Sequence, residues 1–117
     1  MNAKRLRLEG AARLAPGESQ TFTFEQADQV QQGFLLRHEA GLFAYLNRCP
    51  HWLVDLDLGD ERFYAADIDR IYCKNHGALF RVIDGVCDHG PCIGKALVPF
   101  TVEVDGDDAW VSLAVES

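Results

Sequence analysis

The chain has 117 residues, 48% of them hydrophobic and 25% charged, which fits one globular domain able to bury a core without disulfide staples. Its formal net charge of −7 argues against a nucleic-acid partner and reads equally as a device for solubility or as a match to a basic protein surface. No apolar run approaches the length needed to span a bilayer, so no membrane insertion is expected.

Near the N-terminus, Lys4, Arg5, Arg7 and Arg13 are followed by no apolar segment, so the stretch does not read as a secretory signal and a cytoplasmic location is expected. Leu6-Arg7-Leu8 alternates and predicts a short strand, with a turn at Pro16-Gly17. Thr21-Phe22-Thr23-Phe24 predicts a strand with both phenylalanines on one face. Glu25 to Gln32 is polar and reads as a helical turn or a loop. Gly33–His38 and Leu42–Asn47 predict a hairpin joined by Glu39-Ala40-Gly41, and its second strand delivers the chain to Cys49.

Val54, Leu56 and Leu58 alternate with Asp55 and Asp57 and predict a half-buried strand. Phe63-Tyr64 and Ile71-Tyr72 predict two more short strands, the second leading into Cys73. Asp55, Asp57, Asp60, Glu61, Asp67 and Asp69 make this stretch acidic. They lack the Gly and Glu placement of a calcium loop and read as a solvated face. Ala78–Val82 predicts a strand, Asp84-Gly85 a tight turn, and Gly90-Pro91-Cys92-Ile93-Gly94 a rigid loop. Leu97–Val104 and Ala109–Val115 predict a terminal hairpin around 105–108, with Trp110 in the core. With no repeat and no long amphipathic helix, the expected class is all-β, in a single domain over residues 1–117.

Chemistry concentrates in Cys49-Pro50-His51 and Cys73-Lys74-Asn75-His76-Gly77, which together offer two thiolates and two imidazoles. Four cysteines in a reducing compartment point to metal or redox chemistry ahead of a disulfide framework. Tetrahedral zinc and a 2Fe–2S cluster with two histidines both fit that inventory. One intervening residue is tight for a single ion, whereas in a cluster each loop can send its Cys to one iron and its His to the other. Spacing alone puts the cluster ahead and leaves zinc open.

Cys49-Pro50-His51, Cys73-x-x-His76-Gly77-x-x-Phe80, Asp84-Gly85, Gly90-Pro91 and Leu97-x-x-Phe100-x-Val102 occur in this order. Over residues 33–115 the set resembles the Rieske iron–sulfur domain, in its soluble ferredoxin-like branch. The resemblance implies stacked antiparallel sheets, a β-sandwich or partly open barrel, with a small cluster-binding subdomain at about residues 47–94. It implies a 2Fe–2S cluster with Cys49 and Cys73 on the buried iron and His51 and His76 on the outer, reducible iron. Gly90-Pro91 would cover the cluster from one side.

The segment between the ligand pairs is longer than the family's, and Trp52-Leu53-Val54-Asp55 stands where a Gly usually follows the first His. Lys74-Asn75 replaces a common Pro-aromatic pair, and Lys74 either adds positive potential near the cluster or is simply solvated. High-potential respiratory relatives carry a Ser just after His-Gly and a Tyr two residues later, whose hydroxyls bond cluster sulfurs. Here those positions are Ala78 and Phe80. Cys87 and Cys92 flank His89-Gly90-Pro91 and do not match the respiratory disulfide; they read as two thiols or as a local bridge. His38 and His89 have no ligand spacing and read as ordinary residues.

The function implied is a one-electron carrier that takes an electron from a reductase and passes it to a terminal oxygenase or similar enzyme. With no nucleotide fingerprint, mononuclear iron triad or nucleophile–base pair, no catalytic residue is assigned. A redox- or iron-sensing interaction module is the second reading, and a structural zinc domain the third.

Overall fold

Strands β1 (Arg5–Leu8), β2 (Ser19–Gln26), β3 (Gln29–His38), β4 (Gly41–Leu46), β9 (Pro99–Asp105) and β10 (Asp108–Ser112) form one antiparallel sheet in the order β1-β10-β9-β4-β3-β2. It curls into a half-barrel. A smaller antiparallel sheet holds β5 (Tyr64–Ala65), β6 (Arg70–Tyr72), β7 (Leu79–Phe80) and β8 (Cys87–His89) in sequence order. The computed structural model describes residues 5–26, 29–48, 63–73, 77–90 and 92–112. Among these, no helix is long and apolar enough to cross a membrane. The all-β class and the stacked antiparallel sheets agree with the sequence reading.

The period of two along β3 and β4 explains how the sheets share material. Phe34 and Leu36 of β3 and Tyr45 of β4 point into one core with Phe63, Ile71, Cys73, Ala78, Phe80, Val82, Cys87, Cys92 and Leu97. Leu35 and Ala44, one residue out of phase, point into a second core with Leu8, Phe22, Phe24, Phe100, Ala109 and Val111. The β3–β4 pair is thus a wall buried on both faces. Phe34 and Phe63 stack across the first core with ring centroids 4.0 Å apart. Phe22 lies over Gly33, its cross-strand partner, so closely that a Cβ there would come within 2.4 Å of the ring.

Three local expectations are corrected. In the stretch Glu25 to Gln32, expected as a helical turn or a loop, β2 continues through Gln26, β3 begins at Gln29, and the two residues pair. This end of the ribbon extends beyond the core, leaving Val30 73% exposed, so the ladder persists without apolar side chains to announce it. Trp110 is half-buried, because Ala109 and Val111 take the inward positions of β10; its ring instead receives the Arg5 guanidinium at 4.8 Å. The strand expected over 78–82 is reduced to Leu79–Phe80, since Val82 to Asp84 turns. β8 was not foreseen, and Cys87-Asp88-His89 contains neither a β-branched residue nor a Phe, Tyr or Trp to signal it. The strand expected at Val54–Leu58 lies outside the described residues.

The smaller sheet belongs to an excursion between β4 and β9. The chain leaves the larger sheet at Leu46 and returns at Val98, and the Leu46 N–H donates to the Val98 carbonyl at 2.9 Å. β4 and β9 then pair through Ala44–Phe100 and Tyr45–Pro99. Pro99 has no N–H to give, and it sits at the first position of its strand, where that loss is tolerated.

Candidate metal centre

Each ligand loop is launched from a paired strand. β4 ends at Leu46, after which the buried Asn47 donates its backbone N–H to the Gln32 carbonyl at 2.9 Å and its side-chain amide to Gln32 Oε1 at 2.6 Å. Arg48 follows and the chain enters the first ligand motif. On the other side, β6 pairs with both β5 and β7 and delivers Cys73, which is fully buried. The Cys73 N–H donates to the Ala78 carbonyl at 2.9 Å, and the Gly77 N–H donates to the Cys73 carbonyl at 2.8 Å. Gly77 takes φ 72°, a left-handed conformation that glycine adopts without a Cβ penalty.

Of the predicted ligands, Cys73 is described; Cys49, His51 and His76 lie outside the described residues, as do Lys74 and Pro91. Among the described residues no group of three or more His, Cys, Asp or Glu gathers to hold a metal. The surroundings of Cys73 fit a thiolate ligand to an iron–sulfur group. Cys73 lies in a buried and mostly apolar cluster with Phe63, Ile71, Ala78, Phe80 and Leu97, a setting that suits a soft thiolate ligand more than a hard-cation site. Ala78 and Phe80 are themselves fully buried and carry no hydroxyl.

The segment expected to cover the cluster leaves and rejoins its neighbours through main-chain bonds near Gly85 and Leu97. The Leu97 N–H donates to the Gly85 carbonyl at 2.9 Å, the Cys87 N–H to the Lys95 carbonyl at 2.8 Å, and Val86 bridges Ala96 between them. Inside this bracket Gly90, at φ 102°, lies directly on the second ligand loop, where an added Cβ would come within 2.8 Å of Ala78 Cα. Cys87 and Cys92 are buried, with sulfurs 2.9 Å apart.

Struts tie the excursion to the larger sheet. The Tyr45 hydroxyl crosses from β4 to donate to the Val82 carbonyl at 2.6 Å. Burial, and secondarily the charge of Asp84, push this phenol up to about 12. Asp84 accepts from the Val86 N–H at 3.0 Å and from Arg81 Nε and Nη2 at 3.1 and 2.6 Å; these bonds hold its carboxyl below its ordinary range. His38, taken from sequence as ordinary, proves to be a connector. Its Nε2 lies 2.8 Å from Asp69 Oδ1, which also accepts from the Tyr64 hydroxyl at 2.6 Å, while its Nδ1 accepts from the Ala40 N–H. These bonds lower the Asp69 carboxyl, and Tyr64 is raised to about 12, chiefly by its bond to Asp69. Nothing in the sequence signals this strut; in the structure Asp69 takes φ 52°, a left-handed conformation at a non-glycine residue. Asp69, at least, is therefore more than part of a solvated face.

The described residues form an all-β protein: a curled sheet carrying an insert with a second small sheet, and a buried thiol at the end of one of its strands. The Rieske [2Fe-2S] domain model matches residues 6–108, and the chain belongs to that family, whose members bind a Rieske-type 2Fe–2S cluster. No curated protein matches the chain. Among solved structures, the ferredoxin of carbazole 1,9a-dioxygenase from Nocardioides aromaticivorans IC177 is 25% identical with a TM-score of 0.68, covering 92% of this chain and 95% of that one. A chain in a complex of reduced oxygenase and oxidized ferredoxin in carbazole 1,9a-dioxygenase is 23% identical with a TM-score of 0.72, covering 97% and 96%. The terminal oxygenase of carbazole 1,9a-dioxygenase from Novosphingobium sp. KA1 shares the fold at a TM-score of 0.72 and 18% identity; the match covers 97% of this chain and 30% of the oxygenase.

Proposed function

We propose that this protein is a one-electron carrier that holds a Rieske 2Fe–2S cluster on Cys49, His51, Cys73 and His76. In this reading residues 1–117 are one domain and about 47–94 its cluster-binding part. The carrier works in the cytoplasm, taking an electron from a reductase and passing it to a terminal oxygenase or similar enzyme. The observation that carries the reading is likeness over nearly the full length of both chains to a dioxygenase ferredoxin, joined to the family match.

When bound, the cluster supplies reversible one-electron chemistry. The chain's residues set how that charge is held. Cys73 offers its sulfur from the fixed end of β6, in surroundings that exclude water. Ala78 and Phe80 offer no side-chain donor to sulfur, and the covering segment closes one side through Gly90. The oxidised core with two thiolates and two neutral imidazoles sums to zero charge, so reduction leaves one unit of negative charge in an apolar setting.

The test is an absorption and EPR spectrum of the anaerobically purified protein. A brown protein whose reduced form has a mean g well below that of an all-cysteine 2Fe–2S centre supports the proposal. A colourless protein containing zinc would overturn it. Cys73→Ser should abolish the colour.

A further inference from the structure

From the sulfur contact under the covering segment, we propose that Cys87 and Cys92 form a second redox site, a dithiol that a small-molecule disulfide such as oxidised glutathione converts to an internal disulfide. Neither residue belongs to the ligand set, and each lies more than ten positions along the chain from the nearest ligand, His76. Their sulfurs are 2.9 Å apart, closer than unbonded sulfurs rest and still longer than the about 2.04 Å of the bond. They are placed there by main-chain bonds at both ends. The Cys87 N–H donates to Lys95 at 2.8 Å, and the Lys95 N–H donates to Cys92 at 2.9 Å, so the segment closes with the two side chains facing inward. Bond formation asks for little backbone movement.

The chemistry balances as a two-step exchange. One cysteine, as thiolate, attacks a sulfur of the glutathione disulfide and releases one glutathione, leaving a mixed disulfide. The second cysteine then attacks the protein-side sulfur, forms the Cys87–Cys92 bond and releases the other glutathione. The two cysteine sulfurs lose two electrons, the glutathione disulfide gains them, and the two thiol protons leave on the two glutathiones. Burial favours the second step. Cys87 and Cys92 are 2% and 1% exposed, so the pocket that holds them has no room for a tripeptide but already holds the resolving thiol. Burial also limits the first step to moments when the segment opens. Its outer residues Asp88, His89, Ile93, Gly94 and Lys95 are all exposed and leave it free on that side.

The bridge would close a loop of only a few residues and so gain little from chain entropy, which makes it a reducible couple more than a permanent staple. Its position gives it something to act on. Cys87 pairs with Phe80 across β7 and β8, and Gly90, inside the loop, bears on Ala78. Oxidation would fix the cover against the loop that carries Cys73 and His76.

The experiment equilibrates the intact, cluster-bearing protein in glutathione buffers from fully reduced to fully oxidised. It is then quenched in acid, unfolded, alkylated with N-ethylmaleimide and digested with trypsin. Cleavage after Arg81 and Lys95 yields one peptide, Val82 to Lys95, containing both cysteines and neither of the other two. The expected result is a shift from the doubly alkylated peptide to an unalkylated one lighter by two hydrogens, reversed by dithiothreitol. In Cys92→Ser the same peptide should carry glutathione or a single alkyl group on Cys87. A wild-type peptide that stays doubly alkylated throughout, or that holds glutathione in place of the internal bond, would overturn the proposal. The readout on this peptide needs no iron, so its failure and a failure of the cluster reading are separate events.

Discussion

Ala78 and Phe80 stand where hydroxyl-bearing residues hold cluster sulfurs in high-potential relatives, and both are fully buried here. Without those two donors the reduced state loses stabilisation, and the midpoint should fall toward the low end of the Rieske range, near about −150 mV. Ala78→Ser and Phe80→Tyr should each raise it in an equilibrium redox titration; a wild-type midpoint well above zero would contradict the argument. Asp84 acts at the same scale on stability. Its folded carboxyl is held below its ordinary range by the Val86 N–H first and by Arg81 second. A depressed carboxyl contributes stability that is fully present above its unfolded value, about 3.9, and is lost as pH falls through the folded one. Asp84→Asn should therefore lower urea stability at neutral pH and flatten the decline below about pH 4. Equal pH slopes in the two proteins would show that the turn draws nothing from the charge.

At the scale of elements, the excursion and the larger sheet are joined by a buried polar bond inside an apolar core. Tyr45→Phe removes the hydroxyl and leaves the Val82 carbonyl without that donor, which should cost about 1–2 kcal/mol in urea unfolding. A change much smaller than that would mean water replaces the phenol. The ring itself must stay, since it also packs against Gly85, which would place a Cβ 2.8 Å from Tyr45 Cε1. Elements rich in apolar residues were legible in sequence: the Phe22/Phe24 alternation and the β9–β10 hairpin fold as their period predicts, and the β3–β4 hairpin shows as two apolar runs joined by a short polar turn. Those that failed are held by other means. The polar ends of β2 and β3 are a backbone ladder with little to bury, and β8 exists because β7 pairs with it. Of the expected ligands, Cys73 proves to be buried at a strand end, and the other three lie outside the described residues. The His38–Asp69–Tyr64 strut was not legible in sequence, because three polar residues 31 positions apart at the extremes acquire meaning only when β3 meets the turn before β6.

For the whole molecule, a net charge of −7 must shape encounter if the protein is a carrier. Like charges spread over the surface steer it toward a basic partner and are screened over about 10 Å at 0.1 M salt. The second-order rate of its reduction by a reductase should fall as ionic strength rises, measured by stopped flow. A rate indifferent to salt would assign the charge to solubility alone.

Because Leu46 and Val98 are hydrogen-bonded to one another, the excursion between them is a loop of about 50 residues whose ends the larger sheet already holds together. Closing such a loop has a free energy that rises only with the logarithm of its length, so ten added residues cost about 0.2 kcal/mol. Extra length between the two ligand motifs therefore costs the sheet that carries it almost nothing. The segment's length is free to drift. Substitution in that segment should be felt where it meets the rest of the fold, at Phe63 and Ile71 in the core and at Asp69 against His38.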